Sequence, residues 1–223
     1  SHREARAILP TPTVAAVGLI ADPADIVTSG FKREGAAVLL LGSAATAGAR
    51  ALGGSEWLGR KLRRLAGDVP LLELDAEARL QKLVLTLARA RLLESAHDVS
   101  DGGLAVALAE CCTTGRKLVG AKIALSPSGS PLDAVATLFG EAPSRVVVSV
   151  APAAVPDVLA RARSAAVPAD CIGETTAGPA VLSIEAPPLG GFSVDVNEAE
   201  SARQSCLSPI VGDSNARPAI GGP

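Results

Sequence analysis

Asp98-Val99-Ser100-Asp101-Gly102-Gly103 is the stretch best equipped for chemistry. It places two carboxylates at what reads as a strand end, and its two glycines let backbone amides at a helix N-terminus approach a ligand closely. Phosphate bound through magnesium suits such a turn. Magnesium takes one or two protein carboxylates and completes its shell with phosphate oxygens and water. Asp98 is then the metal-facing carboxylate, and Ser100, Asp101, Gly102 and Gly103 form a phosphate cradle at the positive end of a helix dipole. The same residues also suit an N-cap followed by glycines that only allow helix and strand to pack closely. Spacing alone leaves both readings open.

Two further stretches gain weight only in combination. Gly53-Gly54-Ser55-Glu56 is a second glycine-rich entry to a helix, able to bind an anion by the same amide geometry or to serve as a loop and N-cap. Glu141, Ser144 and Arg145 sit on a turn before a strong strand, where an acceptor and a guanidinium can face a polar ligand or simply decorate a surface. His97 has no second metal-type neighbour and reads as a hydrogen-bonded structural residue, so it is given no catalytic role. Cys111, Cys112, Cys171 and Cys206 show no CxxC spacing. Adjacent helical positions diverge by about 100°, so all four read as buried structural thiols.

The elements that must position these residues form a mixed α/β or α+β pattern, a mixed sheet flanked by helices. Thr13–Ile20 and Ala36–Leu41 are short, apolar and β-branched enough to be buried strands. Ser55 is an N-cap for a helix with Leu58, Leu62 and Leu65 on one face, basic residues on the other and Gly67 as its stop. Asp75 is expected to cap a longer helix carrying Leu80, Leu83, Val84 and Leu87 and reaching about Leu93. A short strand then turns at Asp98–Gly103 into a helix bearing Leu104, Leu108 and a cysteine. Beyond it, strands are expected near 118–125, 145–150, 181–185 and 192–196, with helices near 131–139 and 156–165. From Ser205 onward periodicity fades into Gly, Pro and polar residues, the pattern of a disordered tail.

Composition narrows the function. A chain of 223 residues suits one main domain. Hydrophobic residues make up 48%, yet the longest uncharged apolar run falls far short of the about 20 residues a membrane helix needs. With one Trp, three Phe, no Tyr and a net charge of −2, the chain lacks both stacking platforms and a basic patch, which argues against nucleic acid as a partner. No signal sequence opens the chain, so a reducing cytoplasm is expected. A start at Ser1 and the absence of Met suggest a piece of a longer protein.

Four motifs in order carry a resemblance: Ala7-Ile8-Leu9-Pro10-Thr11-Pro12, Leu52-Gly53-Gly54-Ser55-Glu56-Trp57, Ser95 through Ala105, and Leu138-Phe139-Gly140-Glu141 with Ser144-Arg145-Val146. Together they resemble the PurL family, the synthetase subunits of phosphoribosylformylglycinamidine synthase, over roughly Ala5 to Pro209. The Ser95–Ala105 run is the most specific of the four. That family repeats an N-terminal-type plus C-terminal-type domain pair, as in aminoimidazole ribonucleotide synthetase. The resemblance implies that residues 1–22 end a preceding N-terminal-type domain, 23–205 form a C-terminal-type domain, and 206–223 are tail.

The resemblance further implies an ATP- and Mg2+-dependent amidine synthesis. Formylglycinamide ribonucleotide is phosphorylated on its formamide oxygen, and ammonia made from glutamine displaces phosphate. The implied partners are the preceding domains, a glutaminase subunit or domain and a small bridging subunit. The family's catalytic histidine and nucleotide lysine lie upstream of Ser1, so no catalytic residue is expected here and the chain alone should be inactive. Asp98 corresponds to a magnesium-binding Asp of the family's first copy. Glu141-Ala142-Pro143 stands where that copy has Glu-Ser-Gln, and Pro143 offers neither an amide side chain nor a backbone donor. An auxiliary site, taking ADP and structural in role, is therefore expected over Ser100, Asp101, Gly102, Gly103, Gly53, Gly54 and Ser55. A non-catalytic nucleotide-binding or assembly module is the alternative. Another ATP enzyme of the superfamily, such as a thiamine monophosphate kinase or selenophosphate synthetase relative, fits the Leu52–Glu56 and Leu138–Glu141 motifs less well.

Overall fold

The computed structural model describes residues 13–20, 22–42, 48–63, 66–126 and 130–211, without the side chains of 206–211. Among the described residues seven strands form one sheet. They are β1 (Ala37–Gly42), β2 (Leu93–Asp98), β3 (Gly120–Ala124), β4 (Arg145–Val150), β5 (Ala169–Thr176), β6 (Val181–Glu185) and β7 (Gly191–Asp195). Their order is β2-β4-β1-β5-β3-β6-β7. All neighbours are antiparallel except β3 and β6, which run parallel.

β1 is the spine of this sheet. Every one of its six residues is buried, and it is laddered on both edges, Leu39 facing Val148 of β4 and Cys171 of β5. Side chains alternate across a strand, so β1 feeds two cores. Val38 and Leu40 pack with the helix α3 (Gly103–Thr113), through Leu104 and Leu108, and with Leu138 of α4 (Pro131–Phe139). Leu39 and Leu41 pack with Leu80, Leu83 and Leu87 of α2 (Leu74–Arg89) and with Val158 and Ala162 of α5 (Val155–Ser164). Each buried aliphatic side chain contributes roughly 1.5–3 kcal/mol. An α/β sandwich results, in agreement with the mixed sheet flanked by helices read from the sequence.

Local chemistry explains most helix boundaries. Ser130 caps α4 reciprocally with Asp133, and Pro131 occupies the first turn, where its missing N–H costs nothing. Ser55 caps α1 (Glu56–Leu62) by accepting from Leu58 N–H. That helix stops at Arg63 in the left-handed region, before Gly67, and leaves Leu62 exposed, while Leu65 lies outside the described residues. α2 begins earlier than expected, with Glu73 at the cap and Asp75 inside the first turn, where its charge suits the helix dipole. It also ends earlier, at Arg89, and Leu93 opens β2 instead of closing the helix.

Three other expectations change. Thr13–Ile20 is not a buried strand: it pairs with nothing among the described residues, and Val17 and Leu19 are 98% and 101% exposed. A strand needs a neighbour to take its backbone hydrogen bonds, and no described strand of this chain supplies one. β5 was not anticipated, because its mixed burial hides the alternation that marks a strand. The expected tail is helical as far as Val211, in α6 (Val196–Val211), and residues 212–223 lie outside the described part.

Cys111 and Cys112 are buried as expected, and burial pushes both thiols up, that of Cys112 to about 12. Cys171 instead is exposed on β5, and the Cys206 side chain lies outside the described part. In the native protein iodoacetamide should modify Cys171 but not Cys111 or Cys112, and peptide mapping after unfolding should recover all three. Leu40→Ala should lower unfolding free energy by roughly 2–5 kcal/mol, read from the urea midpoint.

Candidate functional site

The three sequence stretches singled out for chemistry meet at one place, and a carboxylate joins them. Glu141 Oε1 accepts from Glu56 N at 2.9 Å and from Gly102 N at 2.8 Å. These amides open α1 and precede α3, so one oxygen sits at two positive helix ends. Glu141 N–H in turn donates to Ala51 O at 2.8 Å, which fixes the turn from which the carboxylate reaches. An anion site of amides at the glycine entries was expected. The geometry exists, and the protein's own carboxylate occupies two of its donors.

The glycines divide by role. Gly102 and Gly103 have φ of +80° and +73°, a region costly for side-chain-bearing residues. A Cβ on Gly103 would lie 2.7 Å from Gly140 O and 2.8 Å from Leu138 O, so this glycine brings α3 against the end of α4. Gly53 similarly passes Asp68 O, where a Cβ would lie at 1.8 Å, whereas Gly54 faces open space. Ser55 is buried and spends its hydroxyl on the α1 cap. Ser100 and Asp101 are exposed at the outer edge of the turn.

Asp98 closes β2 with its side chain 76% exposed. His97 beside it is tied into the fold, Nε2 at 3.1 Å from Glu110 Oε2 and Nδ1 at 2.7 Å from Asp98 O. Among the described residues no group of three His, Cys, Asp or Glu is arranged to hold a metal. Asp98 thus suits a magnesium ion that brings phosphate and water ligands with it, and does not suit a cation held by protein alone.

The turn before β4 faces inward more than expected. Arg145 is buried, with Nη2 donating to Gly140 O at 2.5 Å and Nε to Ala142 O at 3.2 Å. Burial lowers its pKa to about 10, which leaves it charged at neutral pH. The guanidinium staples the turn from beneath and is not presented to a ligand. Ser144, at φ +63°, donates to Glu77 Oε2 on α2 at 2.5 Å. Pro143 supplies no donor to this turn.

Sequence reasoning missed two participants. Glu77 is the acceptor for Ser144, but nothing in its helical spacing points to a turn far along the chain. Trp57 stacks on Phe139 with ring centroids 6.4 Å apart, and two aromatics in a chain so poor in them were the available signal.

Removing the shared acceptor leaves two amide donors without their partner. Glu141→Ala should therefore cost roughly 1–3 kcal/mol in urea denaturation, and Glu141→Gln, which keeps an oxygen acceptor, should cost less.

Comparison with known proteins matches this geometry to a family. The family model described as "AIR synthase related protein, C-terminal domain" matches residues 33–184. A PurL subunit of phosphoribosylformylglycinamidine synthase from Chlorobaculum tepidum is 39% identical over 191 residues, 85% of this chain and 25% of the relative. The corresponding subunit of Thermobifida fusca is 39% identical over 208 residues, 93% of this chain and 25% of the relative. The chain thus spans about a quarter of the length of the relatives it matches. Thermotoga maritima PurL complexed with FGAR shares the fold at a TM-score of 0.63 and 21% identity, over 79% of this chain and 29% of that one. Among the described residues no helix is long and apolar enough to cross a membrane. By sequence and by fold, the chain belongs to the AIR synthase related protein family as a C-terminal domain.

Proposed function

We propose that this chain serves as the second C-terminal-type domain of a PurL-type synthetase. The enzyme would use ATP and Mg2+ to convert formylglycinamide ribonucleotide and glutamine-derived ammonia to formylglycinamidine ribonucleotide. The convergence of residues 53–56, 98–103 and 140–145 on the Glu141 carboxylate carries this reading, because those loops are the motifs shared with the PurL family. Solved structures of Thermotoga maritima PurL with FGAR, ATP and ADP support the nucleotide and substrate classes. A PurLQS structure from the same organism supports assembly with further subunits, here a glutaminase and a small bridging subunit. The exposed apolar side chains of Thr13–Ile20 fit a strand completed by a preceding domain of the same enzyme.

In that reaction ATP phosphorylates the formamide oxygen, ammonia adds to the carbon and inorganic phosphate leaves. Positioning and charge stabilisation do most of the work, and the groups that touch the reacting atoms belong to other domains. This chain contributes an auxiliary nucleotide site of structural role. Asp98 would hold magnesium together with phosphate oxygens, and the bound ion would neutralise phosphate charge. Ser100 and Asp101 form the exposed edge that meets the nucleotide, and Gly54 the open face of the second entry. Gly102, Gly103, Gly53 and Ser55 shape this edge from behind, since their amides or side chains serve the fold. Glu141, Ser144 and Arg145 act indirectly by fixing the turn. The occupied amides equally favour the assembly-module reading, in which this half binds nucleotide weakly and supports the other.

In the full-length synthetase, Asp98→Asn should weaken Mg-ADP binding at the auxiliary site at least tenfold, about 1.4 kcal/mol, by calorimetric titration. Ammonia-dependent turnover should stay close to wild type. Unchanged Mg-ADP titration would remove the auxiliary site from this turn, and a full-length protein unable to turn over with ammonia would remove the enzyme reading.

A further inference from the structure

On the opposite face of the sheet from α3, helices α2 and α5 leave an open groove of about 500 Å³. The chain as a whole carries a net charge of −2, yet the residues lining this groove include Arg79, Lys82 and Arg161 and no acid. Arg161 is partly offset by Asp157 at 3.0 Å. Arg79 and Lys82 form no ion pair among the described residues. They stand three residues apart on α2, about one helical turn, on the rim of a floor made by Leu83, Ala160 and Ala165.

We infer that this groove is a docking site for an acidic amphipathic helix of a partner subunit. Three observations select that occupant. The floor is apolar and shallow, and the alanines at 160 and 165 let a second backbone come close, as helix-in-groove recognition requires. The two unpaired cations match carboxylates spaced at i and i+3 or i+4 on a laid-in helix. The groove also offers little else to a small anion. The hydroxyls of Thr86 and Ser164 donate back to Lys82 O at 2.8 Å and Ala160 O at 3.0 Å. It lies at the middle of α2 and the C-terminal end of α5, so carbonyls rather than amides point its way. Phosphate sites draw on amides and free hydroxyls, whereas a carboxylate-bearing helix needs only the cations and the floor.

The assay rests on the synthetase reading; the groove argument does not. The full-length synthetase carrying Arg79→Glu and Lys82→Glu is titrated with its glutaminase and small bridging subunits, and turnover is followed with glutamine and with ammonia. Affinity for the partner subunits should fall at least tenfold and lose salt sensitivity, glutamine-dependent turnover should fall with it, and ammonia-dependent turnover should stay within about twofold. The milder pair Arg79→Gln and Lys82→Gln should fall less, and it keeps the test open should charge reversal impair folding. Unchanged subunit affinity would overturn the inference. So would equal loss of both activities in a variant that melts like wild type, because the groove would then serve the synthetase itself. A wild-type enzyme without ammonia-dependent turnover would count against the synthetase reading alone, since subunit affinity is measured separately. Inorganic phosphate at the same ionic strength is the comparison probe. Its competing for the groove as strongly as the subunits do would also overturn the helix reading.

Discussion

A single carboxylate oxygen that accepts from two backbone amides holds the site face together. Glu56 N and Gly102 N belong to segments with no local reason to be neighbours, and each opens toward Glu141. An orphan amide at a helix entry needs an acceptor, and a charged one is stronger than a neutral one. Glu141 meets that need for two entries at once, so the loops before α1 and α3 and the turn before β4 behave as one body. The turn beneath is held with the opposite charge. Arg145 is buried and spends its donors on Gly140 and Ala142 carbonyls, which fixes the strand-entry geometry that aims Glu141. Ionised groups thus hold the turn at both ends, one bonded upward to amides and the other downward to carbonyls.

This arrangement bears on what the second copy of a duplicated domain can do. A cradle whose amides are already satisfied has less to offer a phosphate than an empty one. The ligand would then be held by metal and by exposed side chains. Asp98, Ser100 and Asp101 remain exposed on the outside of the turn, whereas Gly103 and Gly53 pass so near other backbone that their lack of a side chain is already explained by packing. The two readings of the glycine-rich turn, cradle and close packing, therefore both hold, for different residues.

How much of this was legible in the sequence varies from element to element. α4, β4 and β6 match their expected spans because their borders carry strong local chemistry: the Ser130 cap with Pro131, and the short β-branched runs of Arg145–Val150 and Val181–Glu185. Thr13–Ile20 has the composition of a strand, but pairing is a property of two segments, and its partner is not among the described strands. β5 was hidden because its register on β1 shifts between Val38 and Leu39 and its burial alternates irregularly. α6 carries polar residues and a proline, Pro209, and looks like tail until its early turns are seen against α3 and β7. At the site, the participating residues were largely visible, but the direction each side chain takes was not. Spacing placed Glu141 and Arg145 on a ligand-facing turn. Long-range hydrogen bonds, which no window of sequence contains, turned one toward two amides and the other inward.

The two faces of the sheet are linked by side chains as well as by β1. Ser144, on the site turn, donates to Glu77, and Glu77 lies on α2 two positions before Arg79. The helix that forms one wall of the cationic groove is therefore bonded directly to the turn that carries Glu141. Leu39 and Leu41 pack against that same helix from β1, and Val38 and Leu40 against α3. A partner seated between α2 and α5 would consequently rest on the framework that sets the site loops. Such a link transmits position. To transmit a switch it would need a second packing that the partner favours over the first, because a ligand shifts an equilibrium only by its difference in affinity for the two states. The contacts from α2 through Glu77 and Ser144 to Glu141 are short and partly buried, and they describe a brace. The physical expectation is that docking on this face fixes where a partner stands relative to the synthetase and leaves the geometry of the turn as it is.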